Sequence, residues 1–378
     1  DRSVSRGLGD VYKRQEYNFD EEIAFLTDIT LAKGVSGREK EVAKTFIKYA
    51  EPYADEIKRD ALGNVIAYHY GKPNGPVVMM CGHMDEVGFF VKSIEDNGLI
   101  RLHPIGGWWP LCLPSDLFVV TNKEGKEFLG VIGARAPHGV TQEQRKNVIP
   151  LENLYLDLGV KDKKMVDDLK IKVGDMVTPK VDFHVMNDGR TLMSKAFDDR
   201  IGAAIALRVL KNLKGVETEC TYVCVGTTQE EVGLRGAKTS AYDVEPDISF
   251  ATDVSLSHDT PDVLDGGDSK LGAGVAMTLC DAGILSHPGL VNYLKETAQR
   301  LEIPYTNDFM AAGSTDAGTI HKTREGVMTM TVSLACRYYH SPYSMINYDD
   351  YINACKLMTE AIKNVNRKVV NKIREAKY

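Results

Sequence analysis

Short apolar segments alternate with amphipathic helices along most of this 378-residue chain, and this alternation limits the folds it can adopt. The apolar segments read NVIAYHY, PVVMMCG, TYVCVG, DISFAT and MTMTVSLAC, and helical patterns occupy DRIGAAIALRVLKNLK, LVNYLKETAQRL and the C-terminal DDYINACKLMTEAIKNVNRKVVNKI. Strands without a polar face have to be covered on both sides, as in a largely parallel sheet between two layers of helices. The pattern therefore predicts an α/β fold, an α/β/α sandwich.

The segment SGREKEVAKTFIKYA carries the start signal of a helix. Ser36 and Glu39 have the spacing of a capping box, and an apolar face follows them. In a capping box the hydroxyl and the carboxylate bond backbone N–H groups at the helix N-terminus. We therefore expect a helix that begins at this pair.

Residues 86–183 break the alternation. VGFFVKSI, LIRLHPIGGWW, DLFVVTN, EFLGVIGA and VGDMVTPKV are short strand patterns separated by Gly, Pro and Asn turns, with little helical periodicity. Such a region is typical of a small β-barrel or sandwich. We predict an α/β domain made of 16–85 and 184–378, with a small β-barrel domain inserted at 86–183. Residues 1–15 have neither an initiator Met nor the apolar core of a signal peptide, and we expect a disordered or extraneous leader there.

Composition argues against several classes of partner. The net charge of −7 gives no basic surface for nucleic acid, and no segment approaches the roughly 20 apolar residues of a membrane span. The seven cysteines have no CxxC spacing and mostly lie in apolar segments, which is typical of buried free thiols in a reducing compartment. We expect a cytoplasmic protein with neither nucleic acid nor membrane as a partner.

Acids and histidines follow four of the predicted strands, and an Asp-Asp pair precedes a predicted helix. In chain order these residues are His83, Asp85, Asp198, Asp199, Glu230, Glu231, Asp253 and His340. Because ligands of open α/β sheets bind beyond the carboxyl ends of the strands, we expect these side chains to meet at one edge. Each residue alone is compatible with a solvated strand end or a helix cap, but their recurrence at one edge favours a metal site. Imidazole with carboxylate suits first-row metals, zinc or cobalt before calcium.

The segments CGHMDEVGF, KAFDDRIG, TQEEVGLRGA, ATDVS and RYYHSP resemble, in order and spacing, the dinuclear metallo-aminopeptidases of the glutamyl/leucyl, tetrahedral-shell family of the zinc-peptidase clan. GVSGREKEVA, YLDLGV, VGDMV and GSTDAG are similar to further parts of that family, so the likeness runs from about residue 20 to the C-terminus. Two segments depart from its pattern: SLACRYYHS lacks a proline before Arg-Tyr, and GGWWPLCLPS is unlike it. We expect neither segment to touch a metal ligand, and the second to alter the assembly or the pocket.

The resemblance implies a metal-dependent aminopeptidase with two divalent ions per subunit, zinc or cobalt before manganese. Asp198 is then the ligand that bridges the ions. His83 and Asp253 complete one site, and Glu231 and His340 complete the other. This arrangement gives each ion three protein ligands and leaves a position for water, as a catalytic site requires. Two such ions can share a hydroxide and polarise a carbonyl group.

The adjacent glutamates receive different roles. Two like charges in a half-buried place cost free energy unless a cation compensates them. Since neighbours on an extended segment point to opposite sides, Glu231 can bind a metal while Glu230 faces the shared water as the general base. Asp85 lies two residues after His83 and is expected to orient its imidazole.

The remaining expectations concern substrate, assembly and weaker candidates. The resemblance implies peptide substrates with a free N-terminus and a homo-oligomer, a tetrahedral dodecamer in which the inserted domain mediates pairing. Thr315 and Asp316 in GSTDAG are expected to shape a loop that faces the site. Lys195 and Arg235 are expected in surface ion pairs.

Three alternatives stay open at this point. An endoglucanase-like glycosidase would use two carboxylates, but these must flank the scissile bond roughly 5–9 Å apart, which sequence neighbours serve poorly. A metal-dependent deacylase or carboxypeptidase of the same clan would share the ligands. A scaffold protein with a vestigial site is disfavoured because every expected ligand and the base are present.

Overall fold

The computed structural model describes residues 17–261, 263, 267–310 and 312–377, so the predicted leader at 1–15 lies outside the described residues. In chain order the strands are β1 (Glu56–Arg59), β2 (Val65–His69), β3 (Val77–His83), β4 (Gly88–Ile94), β5 (Ile100–Ile105), β6 (Leu117–Thr121), β7 (Glu127–Ile132), β8 (Tyr155–Asp157), β9 (Met176–Pro179), β10 (His184–Val185), β11 (Thr191–Ser194), β12 (Thr221–Thr227), β13 (Ile248–Leu256), β14 (Val275–Cys280), β15 (Tyr305–Phe309), β16 (Met328–Cys336) and β17 (Ser344–Asn347). The α-helices are α1 (Phe19–Leu31), α2 (Lys40–Ala50), α3 (Lys163–Asp168), α4 (Phe197–Leu213), α5 (Arg235–Val244), α6 (Pro288–Arg300), α7 (Ala317–Ile320), α8 (Tyr348–Lys363) and α9 (Arg367–Glu375). Short 3₁₀ turns lie at Pro110–Cys112, Pro137–Gly139, Gln144–Lys146 and Leu151–Asn153.

A mixed eight-stranded sheet, in the order β1-β2-β12-β3-β13-β16-β14-β15, forms the centre of the molecule. Its central strands β12, β3, β13 and β16 run parallel to one another. At one edge β1 and β2 are antiparallel, and at the other β14 runs antiparallel to β16. The parallel strands therefore deliver their carboxyl ends to the same edge of the sheet, as the sequence predicts.

Alternate side chains of β3 enter two different cores. Val78 and Met80 are buried in the core that α1, α2, α4, α6 and α8 cover. Met79 and Cys81 are buried in the core that α5 and α7 cover. A strand with no polar face thus packs against helices on both sides, and the predicted α/β/α sandwich is confirmed.

Six strands close into a barrel in the order β4-β5-β8-β7-β6-β9. Aromatic rings fill its interior: the ring centroids of Phe89 and Trp108 lie 5.2 Å apart, and Phe118 packs edge-on against both. The predicted small β-barrel is confirmed, and its strands run from Gly88 to Pro179. The division of the chain into domains at 86 and 183 stays a prediction.

A small sheet, β10-β11-β17, ties together two segments that enter the site. Strand β11 leads into α4, and β17 follows the loop that carries His340. Ser194 of β11 pairs in register with Ser344 of β17, so the two segments are fixed side by side.

Three local features differ from the sequence predictions. The predicted capping box is wrong: α2 begins at Lys40, and no side chain caps it, because Ser36 and Glu39 bond elsewhere. The single C-terminal helix divides into α8 and α9, where the Asn366 side chain accepts a hydrogen bond from the Val369 N–H at 3.0 Å. Helix α3, which the sequence analysis did not predict in the β-rich region, is capped by Asp162.

Among the described residues, no helix combines the length and apolarity that crossing a membrane demands.

Candidate metal centre

The structure brings together, where the parallel strands end, the seven residues to which the sequence analysis gives a role as ligand, base or orienting group. His83 closes β3, Glu230 and Glu231 follow β12, and His340 lies between β16 and β17. Asp253 does not follow its strand as predicted, because β13 continues to Leu256 and pairs Asp253 with Ser333 of β16. Asp198 lies in the first turn of α4, where the backbone of Asp198 and Asp199 is not helical and the peptide bond between them is cis.

Asp198 lies between the two histidines and offers one carboxylate oxygen to each. His83 Nε2 is 3.1 Å from Asp198 Oδ1, and His340 Nε2 is 3.2 Å from Asp198 Oδ2. Because the two oxygens of one carboxylate face different imidazoles, Asp198 is placed as a bridging ligand would be.

The side chains of the adjacent glutamates separate. Glu230 Oε2 lies 3.7 Å from His83 Nε2, whereas Glu231 Oε2 lies 3.6 Å from His340 Nε2. Each glutamate therefore approaches a different histidine, in agreement with the alternation expected of an extended segment.

Two groups of side chains have ligand atoms that lie within 4.8 Å of one another. One contains His83, Glu230 and Asp253, and the other contains His83, Asp198 and Glu231. These groups differ from the expected ligand sets in one respect, since Glu230, the expected base, shares a group with two expected ligands. The centre is narrow enough for Glu230 to reach the same space as His83 and Asp253.

The hydrogen bonds that Nδ1 makes define the tautomer of each histidine, and Nε2 of both rings faces Asp198. His83 Nδ1 is 3.0 Å from the backbone oxygen of Asp85, and His340 Nδ1 is 2.7 Å from that of Gly107. A carbonyl oxygen can only accept, so each Nδ1 carries a hydrogen and donates it. An Nε2 lone pair facing a carboxylate is repulsive, so a proton or a metal ion has to lie between the two atoms.

Burial dominates the electrostatics of the carboxyl groups. Burial raises the pKa of Glu231 to about 8, and the charge of Asp198 adds to the rise. Burial likewise raises the pKa values of Glu230 and Asp253 well above their usual range. Burial acts in the same direction on Asp198, but its hydrogen bonds with the two imidazoles lower its pKa overall. Because the raised pKa values of Glu230, Glu231 and Asp253 favour the protonated form, metal ions and protons compete for these oxygens.

The donor set fits divalent first-row metal ions. Glu231 Oε1 is buried and has no hydrogen-bond partner, which is costly for a carboxylate oxygen unless a cation neutralises it. Imidazole nitrogen and carboxylate oxygen are the donors of zinc, cobalt and manganese sites. The residues present are therefore able to hold the metals that the resemblance implies.

The carboxylate of Asp85 binds backbone rather than the imidazole. Its oxygens accept hydrogen bonds from the N–H groups of Glu230 at 3.0 Å and Glu231 at 3.2 Å. The His83 ring, 3.6 Å from Asp85 Oδ1, donates instead to the Asp85 carbonyl. Asp85 thus orients His83 through its main chain, while its side chain holds the segment that carries both glutamates.

Ser36 and Glu39, which the sequence analysis assigned to a capping box, belong to this hydrogen-bond network instead. The sequence analysis missed this contribution. Ser36 Oγ donates to Asp85 Oδ2 at 2.6 Å, and Glu39 Oε1 accepts from the Gln229 N–H at 3.1 Å. Burial raises the pKa of Glu39, and the charge of Asp85 adds to it. The capping-box spacing concealed this role, since the same residue types serve both purposes.

A second contribution that the sequence analysis missed comes from the Gly106-Gly107 pair in the segment expected to avoid the ligands. Gly107 touches His340 through its carbonyl, so that expectation is wrong. A Cβ at Gly106, whose φ is +77°, would come within 3.2 Å of Glu231 Oε2, and one at Gly107 within 3.2 Å of His340 Nδ1. The adjacent glycines after β5 were the signal that a backbone approaches closely here.

The weaker candidates have varied surroundings. The expected surface ion pair of Lys195 is wrong, because Lys195 is buried and its Nζ lies 2.5 Å and 2.7 Å from the oxygens of Glu86. Arg235 is exposed and donates to Gln229 Oε1 at 3.2 Å. Thr315 lines the cavity beside the metal centre. Asp316 is buried and accepts a hydrogen bond from the Thr227 hydroxyl at 2.5 Å.

Comparison with known proteins identifies relatives of this chain. Residues 63–357 match the family described as M42 glutamyl aminopeptidase. The glutamyl aminopeptidase of Lactococcus lactis subsp. cremoris is 32% identical over 360 residues, which are 94% of this chain and 98% of that protein.

Solved structures give the same result. The TET aminopeptidase of Thaumarchaeota archaeon SCGC AB-539-E09 superposes with a TM-score of 0.91 at 33% identity, covering 94% of this chain and 100% of that one. The TET1 peptidase of Pyrococcus horikoshii, which can assemble into a tetrahedron or a large octahedral shell, has a TM-score of 0.81 at 29% identity and covers 91% and 99%.

These similarities favour an aminopeptidase over the glycosidase, the deacylase or carboxypeptidase, and the scaffold. They extend over nearly the whole chain and include the strands that carry the clustered acids and histidines. The chain therefore belongs to the M42 glutamyl aminopeptidase family, and it is a peptide-bond hydrolase of the aminopeptidase class.

Proposed function

We propose that the centre holds two divalent metal ions and that the enzyme removes single residues from the free N-terminus of peptides. The observation that carries this proposal is the position of Asp198, whose two oxygens face two different histidines at 3.1 Å and 3.2 Å. A single ion needs no carboxylate shared in this way. Two ions bridged by Asp198 satisfy both imidazoles at once.

The remaining ligands form two metal sites, one around each histidine. His83 and Asp253 join Asp198 in one site, and Glu231 and His340 join it in the other. The grouping of His83 with Asp253, and the distance of 3.6 Å from Glu231 to His340, support this division. Zinc or cobalt suits this nitrogen and oxygen donor set best, with manganese next. When bound, such ions lower the pKa of water and polarise the carbonyl group of the substrate.

Glu230 is the proton carrier of the reaction. Its carboxylate lines the cavity, and its backbone is held by Asp85 at 3.0 Å. Glu230 Oε2 takes the proton of the attacking water and returns it to the leaving amine, which a general base positioned at a peptide bond can do. Glu231, with its carboxylate turned toward His340, does not share this task.

The carboxylates also favour a substrate with a cationic end. A free α-amino group is a compact cation that such a site can hold, and anchoring it places the first peptide carbonyl beside Glu230. Fixing the reacting groups in this way converts the attack into an effectively unimolecular step. An acetylated N-terminus has no charge and adds bulk where the amine should bind.

The experiment uses a matched pair of peptides, one with a free N-terminus and one acetylated, with products followed by mass spectrometry. We expect sequential loss of single residues from the free peptide and a rate lower by a factor on the order of 10² for the acetylated one. Equal rates, or internal cleavage of the acetylated peptide, would contradict recognition of the amine. Chelation should abolish the activity and added zinc, cobalt or manganese should restore it.

Assembly and location complete the proposal. The barrel, taken as the domain inserted at 86–183, is the surface through which subunits pair in a homo-oligomer, a dodecamer if the chain assembles as a tetrahedral shell. The assembly of the Pyrococcus horikoshii peptidase supports this, as do the exposed apolar side chains Trp109, Leu111, Leu117 and Leu129 on the barrel segment. The seven cysteines are free thiols, which supports a cytoplasmic location.

A further inference from the structure

The cavity beside the metal centre has two chemically different walls. Its volume is about 450 Å³, and one wall consists of the clustered carboxylates and histidines. The remaining lining residues are uncharged and are together called the uncharged wall; they include Leu234, Val254, Met310, Ala312, Thr315 and Tyr339. A substrate whose first carbonyl lies beside Glu230 places its N-terminal side chain against one of these walls.

All formal charge on the described lining residues lies in the metal centre. Burial raises the pKa of the Tyr339 phenol, so this side chain stays neutral. The two arginines nearest in sequence to the uncharged lining residues have hydrogen-bond partners outside the cavity lining. Arg235 donates to Gln229, and Arg337 donates from Nε and Nη2 to the two oxygens of Asp259 at 2.8 Å and 2.7 Å. Among the residues that the structure describes, the uncharged wall thus offers no cation to an acidic side chain.

We infer that the uncharged wall receives the side chain of the N-terminal residue and selects neutral apolar side chains of medium size, such as leucine and methionine. This inference rests on the proposed function. A glutamate side chain would be desolvated against the uncharged wall without a cationic partner, which is unfavourable. A lysine side chain would lose hydration along Leu234, Val254 and Met310 without a carboxylate of its own. A leucine side chain gains free energy from each buried methylene group.

The inferred side-chain preference of this chain differs from that of a glutamyl aminopeptidase. The Lactococcus lactis relative is a glutamyl aminopeptidase, and the family carries the same description. A preference for glutamate needs a cation at the side-chain wall, and this chain has none among the described lining residues.

Binding and turnover are measured on the full chain loaded with zinc. Calorimetry with free leucine, methionine, glutamate and lysine gives affinities that require no catalysis. Leucine and methionine should bind about tenfold more tightly than the two charged amino acids, or better. Aminoacyl-chromophore substrates of the same four residues should show the same order in kcat/KM.

A charge added to the wall tests the mechanism of selection. Ala312 is exposed at the cavity, and Ala312→Arg supplies the missing cation. The ratio of kcat/KM for glutamate over leucine should rise about tenfold. The matched variant Ala376→Arg, exposed on the segment after α9, should leave this ratio unchanged.

The outcomes distinguish this inference from the proposed function. Glutamate or lysine as the best substrate, equal affinities for all four amino acids, or no binding of any, overturns the inference. Preferential binding of leucine and methionine without hydrolysis of any substrate supports the inference and overturns the proposed function. Preference for leucine and methionine in both measurements supports both.

Discussion

At the residue scale, Glu230 and Glu231 show how adjacent residues of the same type can face different partners. Their N–H groups are held by the same carboxylate, that of Asp85, while their side chains approach different histidines. We expect Glu230→Gln to retain both metal ions but to lower kcat by a factor on the order of 10² or more, because proton transfer is lost. Elemental analysis and steady-state kinetics on the same sample measure the two effects.

Asp198→Asn provides the contrast. Asp198 is the proposed ligand of both ions, so its replacement should reduce metal content together with the rate. A fully active Asp198→Asn enzyme with two ions would show that the bridge is misassigned. Normal turnover of Glu230→Gln with both ions retained would remove Glu230 from proton transfer.

Ser36 gives a prediction that the sequence alone does not. Its hydroxyl is buried and donates at 2.6 Å to Asp85, whose carboxylate in turn positions the segment of Glu230. Ser36→Ala should lower kcat about tenfold, leave KM and metal content nearly unchanged, and have little effect on the secondary structure. Ser93→Ala, at an exposed position of β4, is the control. An equal loss in both variants, or loss of metal from Ser36→Ala, would refute a positioning role.

At the scale of elements, a buried ion cluster joins the end of α1, the turn between β3 and β4, and the start of α4. Glu86 accepts from Lys195 and, at 3.2 Å, from Arg200 Nη2, and Arg200 Nη1 donates to the carbonyl groups of Ile29 and Ala32. Burial lowers the pKa of Lys195 to about 8, although the charge of Glu86 opposes this shift. The cluster fixes three elements that surround the metal centre.

Glu86→Gln should lower the free energy of unfolding by about 3 to 5 kcal/mol, because it leaves two buried cations without their anion. Glu127→Gln is the matched control, since its carboxylate is exposed and its ion pair with the half-buried Lys33 should contribute less than about 1 kcal/mol. Urea denaturation monitored by circular dichroism compares the two. Similar losses would mean that the buried cluster contributes no more than a surface pair.

The strands and helices of the sandwich were predictable because each carries a strong local pattern. MTMTVSLAC coincides with β16, and the segments around His83 and Glu230 begin and end close to their predicted limits. The sequence signals that led to wrong predictions were each compatible with more than one local structure. Ser36 and Glu39 suit both a helix cap and a hydrogen-bond network with Asp85, and only the tertiary structure decides between them. Asp253 looked like a strand end because a charged residue inside a central strand is rare without a special environment.

At the scale of the whole molecule, the exposed leucines of the barrel segment predict association. Leu129→Glu should reduce the mass measured by light scattering, since a charge in a subunit contact is not compensated. Leu62→Glu, on the turn before β2, should leave the mass unaltered. Protein without residues 1–15 serves as the common background, and a monomeric, active enzyme in that background would contradict the proposed oligomer.

The approximate place of the clustered acids and histidines was predictable, because the carboxyl ends of parallel strands converge. Their contacts were not predictable, because these join segments far apart in the chain. Gly107 and His340 are separated by 233 positions, and Lys195 and Glu86 by 109. Neither pair carries a local pattern that would indicate its partner.

The contact of Gly107 with His340 has a consequence for protein engineering. The carbonyl that fixes this imidazole lies in the barrel segment, so the sandwich does not contain everything that its own chemistry requires. A chimera with a plain linker in place of the barrel would let the ring rotate and present either nitrogen, even if the sandwich folds. The barrel is therefore no interchangeable module, and any graft that preserves activity has to restore a carbonyl oxygen at the position of Gly107.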